Sequence, residues 1–313
     1  MSTITVFASP VDQEVFGTYR GRPPSPRDGV ERPLYPFQDR VSASGDGLYP
    51  AEPGRYHLYL AHGCPWAQIA AIVREAKGLG EAVTASYVDE ARDGRGWAFR
   101  ERFGPDPVNG FALLRDAYEA TEPGYDGHIS VPTLWDRTTS RVVSNDFPVI
   151  PVDLATRFDA WAANDVDLYP EALRADIDAF DARITADGRA GGVLPDSADS
   201  AGSAANALDG YETLLGEAEF VHGSALTLSD IRLWVKLIRF EIGYQAAIER
   251  DGRALPDYPN LWAYTQRLYL RPEFRAATHD AALREQRERL LGALPPGAVH
   301  EAAVRRDEEW AAS

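Results

Sequence analysis

The chain has 313 residues, enough for two domains that each bury a core of their own. Hydrophobic residues make up 44% of the chain and charged residues 26%, and both values are ordinary for a globular protein. The formal net charge of −16 argues against nucleic acids and anionic membrane surfaces as partners.

No segment of the sequence indicates a membrane protein or a secreted one. No apolar run is long enough to cross a bilayer. The first ten residues, MSTITVFASP, lack the basic region and the apolar core of a secretory signal. The single cysteine, Cys64, cannot form a disulfide within the chain, which fits a reducing compartment. We therefore expect a cytoplasmic protein without a membrane partner.

Residues 1–54 are predicted to form an extended arm that wraps over the first domain. Eight of the 22 prolines lie in this region. The run GRPPSPRDGVERP is incompatible with a regular helix or a central strand, because proline lacks the backbone N–H that both structures need. The arm is therefore not expected to fold as an independent unit.

Residues 55–150 are predicted to form a thioredoxin-like α/β domain. A short apolar strand, a helix and a second strand follow one another and indicate a βαβ unit. A long insertion rich in Gly, Pro and aromatic residues covers 90–125, and two further strands joined by a short turn indicate a hairpin. The predicted strands are 56–61, 82–89, 131–136 and 141–146, and the predicted helix runs from Pro65 to about Lys77.

A proline stands at the start of the third predicted strand. In the thioredoxin-like arrangement this proline follows a cis peptide bond and faces the active-site helix. Val131-Pro132 is in position for it. A cis bond before proline is a specific structural feature, so we expect this dipeptide to lie beside the residues that open the helix.

Residues 151–295 are predicted to form an all-helical domain, followed by a tail over 296–313. Six segments show apolar residues spaced about 3.6 apart. Ser229 and Asp230 are suited to cap the fourth of them. The segments are 154–163, 168–184, 204–219, 228–250, 260–270 and one near 280–293.

Cys64 is the candidate nucleophile of the chain. The pattern of strand, His62-Gly63 turn, Cys64 and Pro65 places its thiol at the N-terminus of a helix, where proline is favoured at the first position. Free backbone N–H groups and the helix dipole stabilise an anion there. A cysteine in such a position has a lowered pKa and a larger fraction of reactive thiolate. The alternative is a small buried apolar cysteine with no chemical role.

The absence of a second cysteine also restricts the mechanism. A redox cycle of the Cys-x-x-Cys type is excluded, because Cys64 has no partner in the chain. A mixed disulfide at Cys64 must then be resolved by an external thiol or by another chain. A thiol cofactor is the natural inference.

Several motifs lie between about residues 50 and 275, within the two predicted domains. They are PAEPGRYHLYLAHGCPWA, Gly-Trp-x-Phe at 96–99, VPTLWD followed by VVSND, LYPEALRADID, TLSDIRLWVKLIRFEIGY and DYPNLWAYTQRLY. The two domains together resemble the glutathione transferase superfamily, and the motifs resemble its Xi class, the glutathionyl-hydroquinone reductases. Cys-Pro-Trp-Ala at 64–67 and Arg-Phe-acid-x-x-Tyr at 239–244 are fairly specific for this class.

The resemblance implies a reaction at Cys64. In this family the cysteine attacks the sulfur of a glutathionyl-hydroquinone, forms a mixed disulfide with glutathione and releases the hydroquinone. A second glutathione then regenerates the thiolate. The partners implied are therefore a small-molecule electrophile and a thiol, without a metal, and the expected assembly is a homodimer.

The resemblance also assigns roles to further residues. Trp97 and the backbone of Val131, which precedes Pro132, are expected to hold the thiol cofactor. Asp146 replaces the family's glutamate that binds the γ-glutamyl amine. Tyr244 matches one of the tyrosines around the hydroquinone pocket, and we assign it to catalysis together with Cys64.

Several positions depart from the family pattern. Ile69 replaces an arginine that follows the cysteine motif in the family. Phe147 replaces a serine that helps to bind the γ-glutamyl carboxylate. The Asn-Asn-Gly-Val-Tyr segment that supplies a proton-donating tyrosine has no counterpart near ADGRAGGVLP, and THDAALREQRERL stands in place of a late His-Tyr-Tyr element. The cofactor can thus be glutathione or another low-molecular-weight thiol such as mycothiol.

Other interpretations of these residues and of the function stay open. Trp97 could be a core aromatic, Asp146 a turn or cap residue and Tyr244 a packing residue. His62 could pair with the thiolate or be a surface turn residue, and Trp66 is expected to pack against the strand layer. The chain could also be a glutaredoxin-like deglutathionylase, a reductive dehalogenase or a non-catalytic, stress-associated binding protein.

Overall fold

The computed structural model describes residues 5–27, 29–186, 198–240, 248 and 251–291. The chain divides into two compact units, Met1–Asp165 and Val166–Ser313. The predicted limits of arm, domains and tail remain an interpretation, and the tail over 296–313 lies outside the described residues. The predicted limit at 150 lies inside a helix, Val149–Thr156, that belongs to the first unit.

A four-stranded mixed sheet forms the centre of the first unit. Its strand order is β2-β1-β3-β4, with β2 parallel to β1, β3 antiparallel to β1 and β4 antiparallel to β3. The four strands are β1 Tyr56–Leu60, β2 Val83–Tyr87, β3 Thr133–Asp136 and β4 Arg141–Ser144. This is the predicted βαβ unit and ββ hairpin, so the thioredoxin-like prediction is confirmed, with each strand slightly shorter than expected.

All five residues of β1 are buried, as expected for a strand in the interior of a sheet whose faces are covered. His57 in this strand is held by two hydroxyl groups of β2, with its Nδ1 2.6 Å from Thr84 Oγ1 and its Nε2 2.8 Å from Ser86 Oγ. Burial lowers the pKa of His57 to about 3, so the ring is neutral at physiological pH.

Four helices belong to the first unit: α1 Gln13–Phe16, α2 Pro65–Ala76, α3 Arg115–Thr121 and α4 Val149–Thr156. A short 3-10 helix follows at Asp159–Trp161. α2 is the predicted active-site helix, and α4 packs against it. Helix α3 was not predicted; it lies in the Gly- and Pro-rich stretch and packs against β4.

The N-terminal arm is extended apart from α1 and is tied to the first unit by hydrogen bonds. Ala8 N–H donates to the carbonyl of Phe99 at 2.9 Å, and Asp12 N–H donates to the Asp93 carboxylate at 3.0 Å. Asn145 N–H donates to the carbonyl of Phe37 at 3.0 Å. The arm therefore lies against segments 93–99 and 145 of the first unit.

The described elements of the second unit are all helical, which confirms its predicted class. They are α5 Arg174–Ala186, α6 Ala198–Glu217, α7 Leu228–Leu237, α8 Pro259–Tyr269, α9 Pro272–Ala276 and α10 Asp280–Leu291, with short 3-10 helices at Glu171–Leu173 and Leu255–Asp257. Within the described ranges no helix is both long and apolar enough to cross a membrane.

Of the two predicted cap residues of α7, Asp230 takes part in the cap and Ser229 does not. Thr227 is the N-cap residue, and Asp230 closes a capping box by accepting from Thr227 N–H at 2.8 Å. Asp230 also accepts from Val221 N–H and from the Tyr264 hydroxyl. Ser229, the other predicted cap residue, instead lies 2.9 Å from His222 Nε2.

Candidate functional site

Cys64 is the N-cap residue of α2. Pro65 occupies the first helical position, and the Cys64 backbone is extended, with φ −79° and ψ 119°. The thiol makes no capping hydrogen bond, and the side chain is half-buried. The predicted placement at a helix N-terminus is therefore present, and the twelve-residue α2 directs its positive end at the sulfur.

The Val131–Pro132 peptide bond is cis, as the pattern predicts. This segment lies beside Cys64, whose Sγ is 3.5 Å from the carbonyl oxygen of Val131. Val131 is only 5% exposed, yet within the described part of the chain no group accepts a hydrogen bond from its N–H. A buried N–H without an internal acceptor is rare, and it leaves a donor beside the thiol for a bound molecule.

Asp146 follows β4 and is half-buried. Its backbone carbonyl accepts from Val149 and Ile150 N–H at the start of α4, but its carboxylate has no hydrogen-bond partner among the described residues. Burial raises the pKa of Asp146, and the positive charge of Arg40 opposes that change. The side chain is therefore not a helix cap, and it leaves an acceptor for a cationic group.

Phe147 contacts the first turn of α2. Its ring centroid lies 4.3 Å from that of Trp66 and 5.2 Å from that of Tyr35 in the arm. Trp66, for which packing against the strand layer was predicted, is half-buried and lies against Phe147. Phe147 thus contacts two further aromatic rings, at the position where the resemblance implies a serine.

Trp97 is 6% exposed and lies in the loop after β2. The guanidinium of Arg92 sits over its ring at 4.0 Å and over the ring of Tyr19 at 5.6 Å. Tyr19 in turn accepts from Ile129 N–H at 2.7 Å, two residues before Val131. Trp97 is therefore both a core aromatic and a neighbour of the cis-proline segment through Arg92 and Tyr19.

Two residues near Cys64 carried no signal in the sequence. Tyr35 belongs to the proline-rich arm; its pKa is raised first by burial and further by the charge of Cys64. Glu90 is 2% exposed, and its carboxylate accepts from Gly63 N–H at 2.7 Å. Only the folded chain brings either residue to the cysteine.

Other predicted residues have different outcomes. His62 stacks on Tyr87, with ring centroids 3.8 Å apart and planes at 6°. Tyr244 lies outside the described residues, so its role in catalysis stays a prediction. Among the residues that the structure describes, no group of three or more His, Cys, Asp or Glu side chains could hold a metal ion.

The arrangement around Cys64 suits a nucleophilic thiol with a peptide-like partner. The helix N-terminus favours the thiolate, and the Val131 N–H can donate to a carbonyl group beside it. The Asp146 carboxylate can accept from an amine, and the Trp97–Arg92 pair offers a flat face and a positive charge. The same residues can hold a small molecule through its own polar groups while its sulfur faces Cys64.

Comparisons with known proteins place these features in context. A protein-family model for the C-terminal domain of glutathione S-transferases matches residues 159–267. The chain is 35% identical over 225 residues to the glutathionyl-hydroquinone reductase PcpF of Sphingobium chlorophenolicum. This alignment covers 69% of this chain and 72% of PcpF. It is 33% identical over 239 residues to the glutathionyl-hydroquinone reductase YqjG of Escherichia coli K12, covering 73% of each.

Solved structures agree with the sequence relatives. The glutathione-bound structure of YqjG is similar to this chain with a TM-score of 0.74 at 29% identity, covering 86% of this chain and 90% of the other. The glutathione-S-transferase Xi of Phanerochaete chrysosporium is similar with a TM-score of 0.76 at 28% identity, covering 87% and 98%.

Proposed function

Because this chain belongs to the Xi class of glutathione transferases, the family of the glutathionyl-hydroquinone reductases, we propose that it transfers or reduces thiol adducts through Cys64. The chain is an enzyme of glutathione transferase type. The proposed substrates are thiol adducts of hydroquinones or of related electrophiles.

The proposed reaction has two steps that balance in atoms and electrons. The Cys64 thiolate attacks the sulfur of the thioether that joins the thiol to the hydroquinone ring. The sulfur–carbon bond breaks as the disulfide forms, and the ring carbon takes up a proton as the hydroquinone leaves. A second thiol molecule then attacks the mixed disulfide, restores the Cys64 thiolate and leaves as a symmetrical disulfide. Two thiol sulfurs are oxidised in total, and the ring carbon is reduced.

The groups around Cys64 support binding of a peptide thiol such as glutathione. The free N–H of Val131 would donate to a carbonyl of the thiol's cysteinyl unit, since the sulfur of Cys64 is 3.5 Å from the carbonyl of the same residue. The carboxylate of Asp146 would accept from an α-amino group. Trp97, with Arg92 over its ring, would line the opposite end of the thiol.

Phe147 bears on the choice of thiol. Its ring lies against Trp66 and Tyr35 and has no group that could donate to a carboxylate. Binding of glutathione by YqjG supports glutathione as the thiol, whereas Phe147 supports a thiol without an α-carboxylate at this position, such as mycothiol. We therefore keep the proposal to a low-molecular-weight thiol, with glutathione as the first to test.

The observation that carries this proposal is the placement of Cys64 at the N-terminus of α2, beside the cis-proline segment. The test is mass spectrometry of the intact protein after incubation with glutathione disulfide and, separately, with mycothiol disulfide. An adduct of one thiol at Cys64, removed by the same thiol in reduced form, is the expected result. No adduct with either disulfide would contradict the proposal.

A further inference from the structure

A buried carboxylate contacts the backbone of the turn that precedes Cys64. Glu90 is 2% exposed, and its Oε1 accepts from Gly63 N–H at 2.7 Å. A Cβ atom added to Gly63 would lie 2.6 Å from Glu90 Oε2, so the carboxylate is in close contact with the backbone of the turn. The residue before the nucleophile and Glu90 therefore fix each other's position.

Glu90 also belongs to the loop that carries Trp97. The loop begins after β2, and the N–H of Asp89 donates to the carbonyl of Ala98 at 2.8 Å, which closes the loop on itself. Glu90 thus joins two parts of the site, the turn before Cys64 and the loop of Trp97. A hydrogen bond from a backbone N–H to a carboxylate is among the stronger ones in proteins.

A carboxylate at this position has an electrostatic cost for the nucleophile. Removing a carboxylate from water is unfavourable unless hydrogen bonds compensate for it. A negative charge next to the turn also disfavours a second negative charge on Cys64, and it therefore opposes the effect of the helix N-terminus.

The other charged and titratable groups around the turn have contacts of their own. Asp89 pairs with Arg100 at 3.3 Å and lies 3.9 Å from Arg102. His62 stacks on Tyr87, and Arg92 lies over Trp97. The pKa of Tyr35, in the arm, is raised first by burial and further by the charge of Cys64. Glu90 accepts a hydrogen bond from the backbone N–H of the residue next to Cys64.

We infer that Glu90 is a positioning residue for Cys64: its carboxylate holds the Gly63 N–H and so fixes the turn, and its charge restrains ionisation of the thiol. This role goes beyond the proposed function, since it concerns the reactivity of Cys64 towards any electrophile. With Glu90 in this role, the Cys64 thiol is reactive enough to attack a bound substrate, but it is not fully ionised.

The pH dependence of Cys64 alkylation by iodoacetamide tests this inference on the full chain. Cys64 is the only cysteine, so the rate reports this thiol alone. Glu90→Gln keeps an oxygen that accepts from Gly63 N–H but removes the charge. We expect its alkylation midpoint to fall by about 0.5–1 pH unit, with the limiting rate at high pH within about twofold of the wild type. An unchanged midpoint would overturn the electrostatic part.

Glu90→Ala tests the positioning part, because it removes both the charge and the acceptor. We expect the same fall in midpoint and, in addition, a change of about threefold or more in the limiting rate. The same midpoint and the same limiting rate in the Ala and Gln variants would overturn the positioning part of the inference. Glu101→Gln is the matched control, since it removes an exposed carboxylate nearby in the chain and should leave the midpoint unchanged. Far-UV circular dichroism verifies folding, and the nearly isosteric Gln variant keeps the test decisive if the Ala variant unfolds.

The outcome is independent of the proposed function. Alkylation needs neither glutathione nor a hydroquinone, so a protein without thiol-transfer activity can still show the Glu90 effect. Conversely, an active enzyme whose Gln variant titrates like the wild type would overturn this inference and leave the proposed function intact.

Discussion

The rings of Trp66 and Phe147 lie 4.3 Å apart between centroids, with their planes at 33°. This contact joins the first turn of α2, which begins directly after Cys64, to the residue that follows Asp146. Phe147, the chain neighbour of Asp146, therefore belongs to an apolar aromatic surface beside the start of α2. A substrate that reaches Asp146 has to fit against Phe147.

Phe147→Ser is predicted to improve glutathione binding. A missing hydrogen bond to a charged group costs about 1.5–3 kcal/mol, which corresponds to roughly 10- to 150-fold in affinity. Since the phenyl ring also occupies the space, we expect the native protein to bind glutathione weakly and the Ser variant to bind it more tightly by about that factor, as measured by calorimetric titration.

Phe147→Leu is the control for this prediction, because it removes the aromatic ring without supplying a hydroxyl group. We expect its affinity for glutathione to stay near that of the native protein. Binding of glutathione by the native protein in the low micromolar range would show that the idea of a changed thiol partner is wrong.

The pKa of Cys64 is predicted to lie below the free-cysteine value of about 8.5, because the N-terminus of α2 stabilises the thiolate. The measurement is the rate of alkylation against pH. The same protein in denaturant is the reference, and its midpoint should lie near the free value. A native midpoint at or above that of the unfolded chain would remove the case for an activated nucleophile.

Cys64→Ser is predicted to abolish thiol transfer, since the chain has no second cysteine that could take over. Cys64→Ala should fold almost as stably as the native protein, because the thiol makes no capping hydrogen bond and its contact with Val131 is a long 3.5 Å. Turnover assays and thermal unfolding measure the two effects. Substantial activity in the Ser variant would indicate a serine-type transferase and contradict the cysteine mechanism.

The free energy of unfolding is predicted to fall as the pH is lowered from about 6.5 to 4. Burial lowers the pKa of His57 to about 3 and that of His128 to about 4, whereas both titrate near 6.5 in the unfolded chain. The unfolded state therefore binds more protons over this range. Each histidine contributes a slope of up to about 1.4 kcal/mol per pH unit, and the contribution is complete above pH 6.5.

Denaturant unfolding at several pH values measures this slope. His57→Gln should be less stable at pH 7, because it disturbs the bonds to Thr84 and Ser86, but its stability should depend less on pH. If the native protein and the variant lose stability in parallel between pH 6.5 and 4, His57 is not the source of the dependence.

The sequence predicted the parts of the fold that depend on local pattern. The strands and α2 are short segments rich in apolar residues and bounded by turns, which is the pattern of buried elements. α3 was missed because it has only seven residues, of which Ala117, Tyr118 and Thr121 are buried, and it lies in a stretch rich in turn residues. The cap of α7 was assigned to Ser229 and Asp230; the N-cap residue is Thr227, and Asp230 takes part as the third helical residue of the capping box.

Two parts of the candidate site were predictable. Cys64 and Pro65 are recognisable because the cap residue and the first helical residue are neighbours in the chain. The place of Val131-Pro132 beside Cys64 follows from the thioredoxin-like order of strands and helix. Glu90, in contrast, contacts Gly63 across 27 positions, and Tyr35 belongs to the arm. Such pairs depend on how the chain folds back on itself, and no periodicity in a single sequence marks them.

The hydrogen bonds of the arm span long stretches of sequence. Asp12 bonds to Asp93 at a separation of 81 residues, Tyr19 to Ile129 at 110 and Phe37 to Asn145 at 108. During translation at about 5–20 residues per second, roughly 5 to 20 s pass between the synthesis of the arm and that of its partners. These arm residues thus leave the ribosome before their partners in the first unit exist, and their native contacts cannot form until those partners are made. The prolines of the arm disfavour regular helices and sheets, and they therefore limit the non-native structures that it can form in this interval.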